Sequence, residues 1–381
     1  MVATANEQAA IKDDSAIRVM IVDDSLVIRG AISRIFKKHP EISVVATCSD
    51  GLKALDRARR GDIDVVVLDV EMPNMDGLTA LPELLKIDPT LVVIMASTLT
   101  TRNAGISLKC LQLGASDYVP KPTSSDSLFD AEDFERELVE KVIALSAPVV
   151  RARSRARTSP AGTSAKTASS AAPAQGGTIT TSHRFRSPTN AKPKILAVGS
   201  STGGPVALMQ FFAQLPISID LPIVVTQHMP KPFTRLLAEH LSRDTEWECK
   251  EGEDGDALKP GRILIAPGDY HMTLTGNRIS PTISLNQEEK ENFCRPAVDP
   301  MLRSVVKIYG ADVLAVILTG MGSDGLKGCE LVVEKGGNVL AQDEESSVVW
   351  GMPGAVAQAG LCVGVMPIPQ IVRKAVWFAN R

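Results

Sequence analysis

The sequence predicts two α/β domains: an N-terminal doubly wound domain of five β/α units and a C-terminal domain built on its own parallel sheet. Three observations carry this. The chain has 381 residues, more than one ordinary hydrophobic core takes up. Short apolar runs alternate with amphipathic segments, first over residues 17–145 and again over 194–343, the pattern of parallel β/α layers. Between the two bodies, residues 147–194 carry nine basic and no acidic side chains in a Ser, Thr, Ala, Pro and Gly background.

The first body opens with the strand IRVMIVDD (17–24), ending in two acids. LVIRGAISRIFKKH (26–39) has helical period, with Ile28, Ile32, Ile35 and Phe36 on one side. ISVVATC is a strand, and GLKALDRARRG a helix stopped by Gly61. IDVVVLD (63–69) is a buried strand that again ends in Asp, and LTALPELLKID is a helix with an internal proline. LVVIMAS (91–97) is a strand, NAGISLKCLQLGA a helix stopped by Gly114, DYVPKP a short strand and FERELVEKVIAL the closing helix. Residues 147–192 lack aliphatic periodicity and are expected to be a flexible basic linker. In the second body the strands are KILAVGS, PIVVTQH, GRILIAPG, DVLAVILTG and GNVLAQD. PVALMQFFAQL and FTRLLAEHLSR are helices, and TLTGNRISPTI has the look of a hairpin.

Composition excludes several classes. The longest apolar runs are far too short to span a bilayer, and the N-terminal stretch does not read as a secretory signal, so a cytoplasmic protein is expected. The six cysteines have a closest spacing of 33 residues, which favours free thiols over a metal knuckle or a disulfide framework. The net charge of −3 hides an uneven spread: residues 1–146 sum to −7, 147–194 to +9 and 195–381 to −5. Both folded bodies are therefore acidic, and no helix-turn-helix pattern is present, so DNA binding is not expected despite the basic strap.

Two constellations carry chemistry. In the first body, strand ends supply Asp23 and Asp24, then Asp69, then Ser97, then Lys121. In a parallel sheet these ends share one edge. Three clustered carboxylates repel unless a cation neutralises them, and an all-oxygen set suits a hard ion such as Mg²⁺. A carboxylate beside such an ion and a lysine is placed to accept a phosphoryl group, with Ser97 bonding a phosphoryl oxygen. A backbone carbonyl in the VEMPNMDG loop would complete the metal shell. The motifs IVDDS, VLDVEMPNMDG, MAS and GASDYVPKP resemble a response-regulator receiver domain over about residues 17–137. That resemblance implies Asp69 as phospho-acceptor, Asp23, Asp24, Asp69 and Glu71 around Mg²⁺, Ser97 and Lys121 on the phosphoryl group, and Tyr118 as the switch aromatic.

In the second body, VGSSTGGP fails as a dinucleotide loop. As a Walker A loop it lacks the lysine, because Pro205 and Val206 stand where Lys and Ser/Thr belong. Gly199, Ser201 and Gly203 satisfy G-x-S-x-G between a strand and a helix; alone, this fits a nucleophile elbow and a capped β–α turn equally well. Among the five histidines, His228 ends a strand at the same edge; His271 follows another strand and is a weaker candidate base. Asp324 lies in the turn after DVLAVILTG, again at that edge. The order Ser…His…Asp differs from that of α/β-hydrolases, but such triads are recognised by geometry. VGSSTGGP, TQHMP, RPAVDPML, LTGMGSDG and VVWGMPGAV resemble the chemotaxis protein-glutamate methylesterase (CheB) family. The resemblance implies a hydrolytic domain over 193–381 that removes methyl esters from glutamates of chemoreceptor cytoplasmic domains and deamidates receptor glutamines. It implies Ser201 as nucleophile, His228 as base, Asp324 as orienting acid, and an oxyanion contact near Met321. It also implies a histidine kinase as phosphodonor, with no cofactor in the catalytic domain. The rival readings are a receiver tethered to a non-enzymatic scaffold and a transcription regulator.

Overall fold

The computed structural model describes residues 16–121, 128–158 and 185–381. The first body contains β1 (Ile17–Val22), α1 (Leu26–Lys37), β2 (Ile42–Cys48), α2 (Gly51–Ala58), β3 (Val65–Asp69), α3 (Gly77–Ile87), β4 (Val92–Ser97), α4 (Thr101–Gln112), β5 (Asp117–Pro120) and α5 (Leu128–Thr158). Its sheet has the order β2-β1-β3-β4-β5, with β1 parallel to both neighbours, the arrangement expected of five β/α units. The helices begin where the sequence supplies caps. Ser25, Asp50, Asp76 and Thr100 each accept a hydrogen bond from the backbone N–H three residues on. Each such cap contributes about 1 kcal/mol.

One boundary differs from the expectation. Helix α5 runs to Thr158, well into the stretch read as linker from residue 147. Arginine and alanine are good helix formers, so a segment with no aliphatic stripe still extends a helix already under way. Arg153 also anchors it: the guanidinium pairs with Asp64 and donates to the Ala16 carbonyl at 2.8 Å. Asp64 is buried and is held as well by Arg18 at 2.7 Å. Burial pushes the Asp64 carboxyl up, but the bonds from Arg18 outweigh it and hold the group below its usual range. At the other end of the linker, Thr189 is fixed on the catalytic body. Its N–H donates to Asn338 Oδ1 at 3.0 Å and its hydroxyl to the Gly336 carbonyl at 2.7 Å. The middle of the expected linker, 159–184, lies outside the described residues.

The second body contains β6 (Ile195–Ser200), α6 (Gly204–Gln214), β7 (Ile223–Gln227), α7 (Phe233–Asp244), β8 (Glu248–Glu251), β9 (Arg262–Ile265), β10 (His271–Gly276), β11 (Pro281–Asn286), α8 (Val298–Tyr309), β12 (Val313–Ile317), α9 (Leu326–Glu334), β13 (Asn338–Gln342), α10 (Met352–Gln358), β14 (Gly364–Met366) and α11 (Ile368–Ala379). Seven strands pair in parallel in the order β14-β13-β12-β6-β7-β9-β8. The expected hairpin is present as antiparallel β10 and β11. From β6 the chain builds outward one way through β7 and the other way from β12 onward. The β6/β12 boundary is therefore the topological switch point, and a crevice opens beyond the carboxyl ends of those two strands. Strands β6 and β12 are buried along their whole length, which gives that crevice a rigid floor.

By their contacts the described residues fall into two compact units. One draws on residues 16–94 and 146–158, the other on 95–121, 128–145 and 185–381. In the second unit α4 packs on α6 and α7, and the Tyr118 ring stacks on Phe233 with centroids 4.3 Å apart and planes within 7°.

Candidate active site

Ser201 stands one residue past the end of β6. Its N–H donates to the Thr319 carbonyl beyond β12 at 3.0 Å, which ties the loop across the switch point. Gln227, at the end of β7, braces the same loop. It accepts from the Ser200 hydroxyl at 2.7 Å and donates to the carbonyls of Ser201 at 2.8 Å and His228 at 3.2 Å. Gly203 sits at φ 74°, a left-handed conformation that favours glycine, so the chain turns sharply into α6. The loop is thus an elbow held from two strands.

His228 follows β7, and its N–H donates to the Ser200 carbonyl at 3.1 Å. Its Nε2 lies 2.7 Å from Asp324 Oδ2. Asp324 is 1% exposed and heavily coordinated. It accepts the N–H groups of Val298 at 2.6 Å and Asp299 at 3.1 Å in the first turn of α8, that of Gly325 at 2.9 Å, and Asn292 Nδ2 at 3.0 Å. Burial alone would raise the Asp324 carboxyl. The bond and charge of His228, with the helix N–H groups, overcome it and hold the group below its usual range. Behind it, burial and the charge of Asp324 push Asp299 up to about 6. Burial pulls His228 down, but Cys294 and Asp324 outweigh it and the imidazole rises to about 10.

The three expected residues therefore meet at the switch point, but one expected bond is not made. Among the described residues Ser201 Oγ forms no hydrogen bond with the imidazole. The second ring nitrogen, Nδ1, is instead 3.3 Å from Cys294 Sγ. Cys294 and Asn292 come from a tight turn in which Asn292 and Phe293 both have left-handed φ, 52° and 62°. Glu291 and Cys294 close that turn by exchanging backbone hydrogen bonds. Gln227, Asn292 and Cys294 also contact this arrangement, and the sequence reading passed over them. No spacing rule points to them, although Gln227 lies within TQHMP and Asn292 and Cys294 lie just before RPAVDPML. His271 takes no part in this arrangement. It is buried, with Nε2 at 2.9 Å from the Glu289 carbonyl and Nδ1 accepting from the Ala297 N–H at 3.2 Å.

Ser201, His228, Cys294 and Met321 line a cavity of about 450 Å³. In the same compact unit its wall is completed by Tyr118 and Arg136. Arg136 stacks over the Phe293 ring at 4.4 Å, and Asp133 pairs with Lys290 at 2.6 Å.

In the first body, Asp23, Asp24 and Asp69 offer carboxylate oxygens that all lie within 4.8 Å of one another. Asp23 and Asp69 are buried and Asp24 is exposed, so the cluster faces solvent on one side. An all-oxygen set this tight fits a hard divalent ion. Glu71 is exposed in the loop after Asp69. Ser97 ends β4 and Lys121 follows β5; both are buried, and the Lys121 N–H donates to the Ser97 carbonyl at 2.8 Å.

A carboxylate-edged β/α domain joined to a parallel-sheet body with serine, imidazole and buried carboxylate at its switch point defines a receiver-linked hydrolase. Comparison with known proteins narrows the class. Residues 19–132 match the response regulator receiver domain model and residues 196–375 the CheB methylesterase model. A protein-glutamate methylesterase/protein-glutamine glutaminase of Azospirillum brasilense is 50% identical over 96% of this chain and 93% of its own length. One from Paramagnetospirillum magneticum is 51% identical over 93% and 94%. The solved catalytic domain of a Thermotoga maritima CheB methylesterase is 44% identical over 49% of this chain and 98% of its own, with a TM-score of 0.48. The chain belongs to the CheB methylesterase family, hydrolases that here carry a response-regulator receiver domain.

Proposed function

We propose that this protein hydrolyses glutamate γ-methyl esters on the cytoplasmic domains of chemoreceptors, and deamidates receptor glutamines, through Ser201, His228 and Asp324. The reading is carried by the buried Asp324–His228 pair at the switch point, in one cavity with Ser201. Asp324 holds Nε2, so proton exchange with Ser201 runs through Nδ1. Ser201 attacks the ester carbonyl as Nδ1 takes its proton, and backbone N–H groups of the loop near Met321 steady the oxyanion. The proton leaves with methanol, or with ammonia from a glutamine. Water then releases the carboxylate by the same route in reverse. No helix among the described residues is long and apolar enough to cross a membrane, in keeping with work on the cytoplasmic part of a receptor.

Control is assigned to the receiver. Asp69 takes a phosphoryl group from a histidine kinase, with Ser97 and Lys121 as its contacts. Asp23, Asp24 and Asp69, with the carbonyl of Glu71, would hold Mg²⁺, which when bound offsets charge at the acceptor. Tyr118 and Arg136 wall the cavity, so a shift at β5 and α5 on phosphorylation alters access to Ser201.

Methanol release from methylated receptor tests both halves. Ser201→Ala is expected to lose on the order of 10³-fold; equal rates would remove Ser201 as nucleophile. A small-molecule phosphodonor is expected to stimulate wild type but not Asp69→Asn, and equal stimulation would remove Asp69 from its role.

A further inference from the structure

The cavity holds a nucleophile that the esterase reaction does not use. Five of the six cysteines are buried, and only Cys294 is partly exposed. Burial pushes the Cys249 and Cys362 thiols up to about 12 and raises Cys48 and Cys329, so these are unreactive at neutral pH. Cys294 has an imidazole beside it. Its sulfur lies 3.3 Å from His228 Nδ1, while Nε2 of the same ring is 2.7 Å from the Asp324 carboxylate. Sulfur, imidazole and carboxylate in series are the arrangement that generates a thiolate–imidazolium pair. Asp324 is fixed as an anion by four further N–H donors, so the ring is favoured as a cation.

We propose that Cys294 is a peroxide-reactive thiol whose oxidation silences the esterase. The thiolate sulfur attacks one oxygen of hydrogen peroxide, the S–O bond forms and the O–O bond breaks. His228 gives its proton to the departing hydroxide, which leaves as water. Sulfur is oxidised by two electrons, peroxide is reduced, and Cys294 is left as a sulfenic acid beside a neutral imidazole. Its added oxygen occupies the approach to Nδ1, the nitrogen through which Ser201 exchanges its proton. Thiol reductant reverses the change through a mixed disulfide and a second exchange. The silencing step rests on the reading of His228 as the base for Ser201; the oxidation step does not.

The test uses the full chain, reduced and then freed of reductant. Hydrogen peroxide is added with dimedone in one arm, and adducts are located by peptide mass spectrometry. In a second arm methanol release is measured before peroxide, after peroxide and after dithiothreitol. The expected result is a dimedone adduct on Cys294, a loss of roughly tenfold or more in methanol release, and recovery with dithiothreitol. Cys294→Ser, compared with its own untreated rate, should keep its activity under peroxide. His228→Gln should slow adduct formation at Cys294 by roughly tenfold. Adducts elsewhere but not on Cys294 overturn the oxidation and leave the Ser201 reading standing. A full adduct on Cys294 with unchanged methanol release overturns the silencing and, with it, the role given to Nδ1. Equal loss of activity in Cys294→Ser assigns the sensitivity to another residue and overturns the proposal.

Discussion

Gly204 has no room for a side chain: a Cβ there would lie 1.9 Å from Gln227 Oε1. Gln227 is the brace that holds the carbonyls of Ser201 and His228. Gly204→Ala therefore has to displace it, and is expected to cost about 2 kcal/mol of stability by overpacking. Methanol release should fall by roughly 10²-fold because Ser201 and His228 lose their common support. Thermal unfolding and the esterase assay read the two effects separately; an unaltered rate would show that the brace does not set the geometry. His228 gives a second prediction at this scale. Its value is raised to about 10, so any stability it confers is fully present below its unfolded value of about 6.5 and is lost as pH rises through about 10. The groups facing it are Asp324 and Cys294, with Asp299 behind and Lys290 and Arg295 on the cavity wall. Cys294→Ser removes one of the two side chains that raise the ring, so the acidic limb of kcat/KM should move down by about 1 pH unit. No movement would mean that the sulfur does not act on the ring. Ser201, His228 and Asp324 were legible because each sits at a strand end next to a glycine or an apolar run. Cys294 was not, because it sits in an irregular turn and belongs to no spacing pattern.

One lysine of α5 ties that helix to β5. Lys141 Nζ donates to the Tyr118 carbonyl at 2.6 Å and pairs with Asp117 at 3.2 Å and Glu137 at 2.7 Å. Burial pushes Asp117 up, and Lys141 is the cation that opposes it. Lys141→Met would leave Asp117 buried opposite an apolar chain. The expected cost is about 3 kcal/mol, because breaking a buried pair from one side leaves an uncompensated charge. The loss should shrink at acidic pH, where Asp117 protonates; urea unfolding at two pH values checks both statements. Most elements could be read from period and caps, and Ser25, Asp50, Asp76 and Thr100 cap helices that the apolar spacing already marked. Strands β8 and β14 were missed for a physical reason. They are four- and three-residue edge strands, too short for any alternation to register. The far end of α5 was missed because its residues, rich in arginine and alanine, look the same in a linker and in a solvated helix.

At the scale of the whole molecule, the catalytic cavity is lined from two parts of the sequence that lie far apart. Asp133 of α5 and Lys290 of the turn leading to Cys294 are 157 positions apart, and they form a partly exposed link between those parts, at 2.6 Å. The order of strand ends in the sequence made both constellations readable. It held no sign that β5 and α5 would wall the cavity, because such contacts depend on shape and on single charges rather than on period. The Asp133–Lys290 pair makes the arrangement testable. Both partners are partly exposed, so their attraction is worth no more than about 1 kcal/mol, a factor of roughly five in an equilibrium. Lys290→Glu sets like charges against each other and should raise methanol release without phosphodonor by up to about fivefold, while the phosphodonor-stimulated rate changes little. Adding Asp133→Lys to the same chain restores opposite charges in reversed order and should bring the unstimulated rate back down. High salt should shrink the difference between the single and double variants, since exposed charges are screened. A single variant that remains at the wild-type rate, or a double variant that remains as active as the single, would show that this pair does not hold the wall over Ser201.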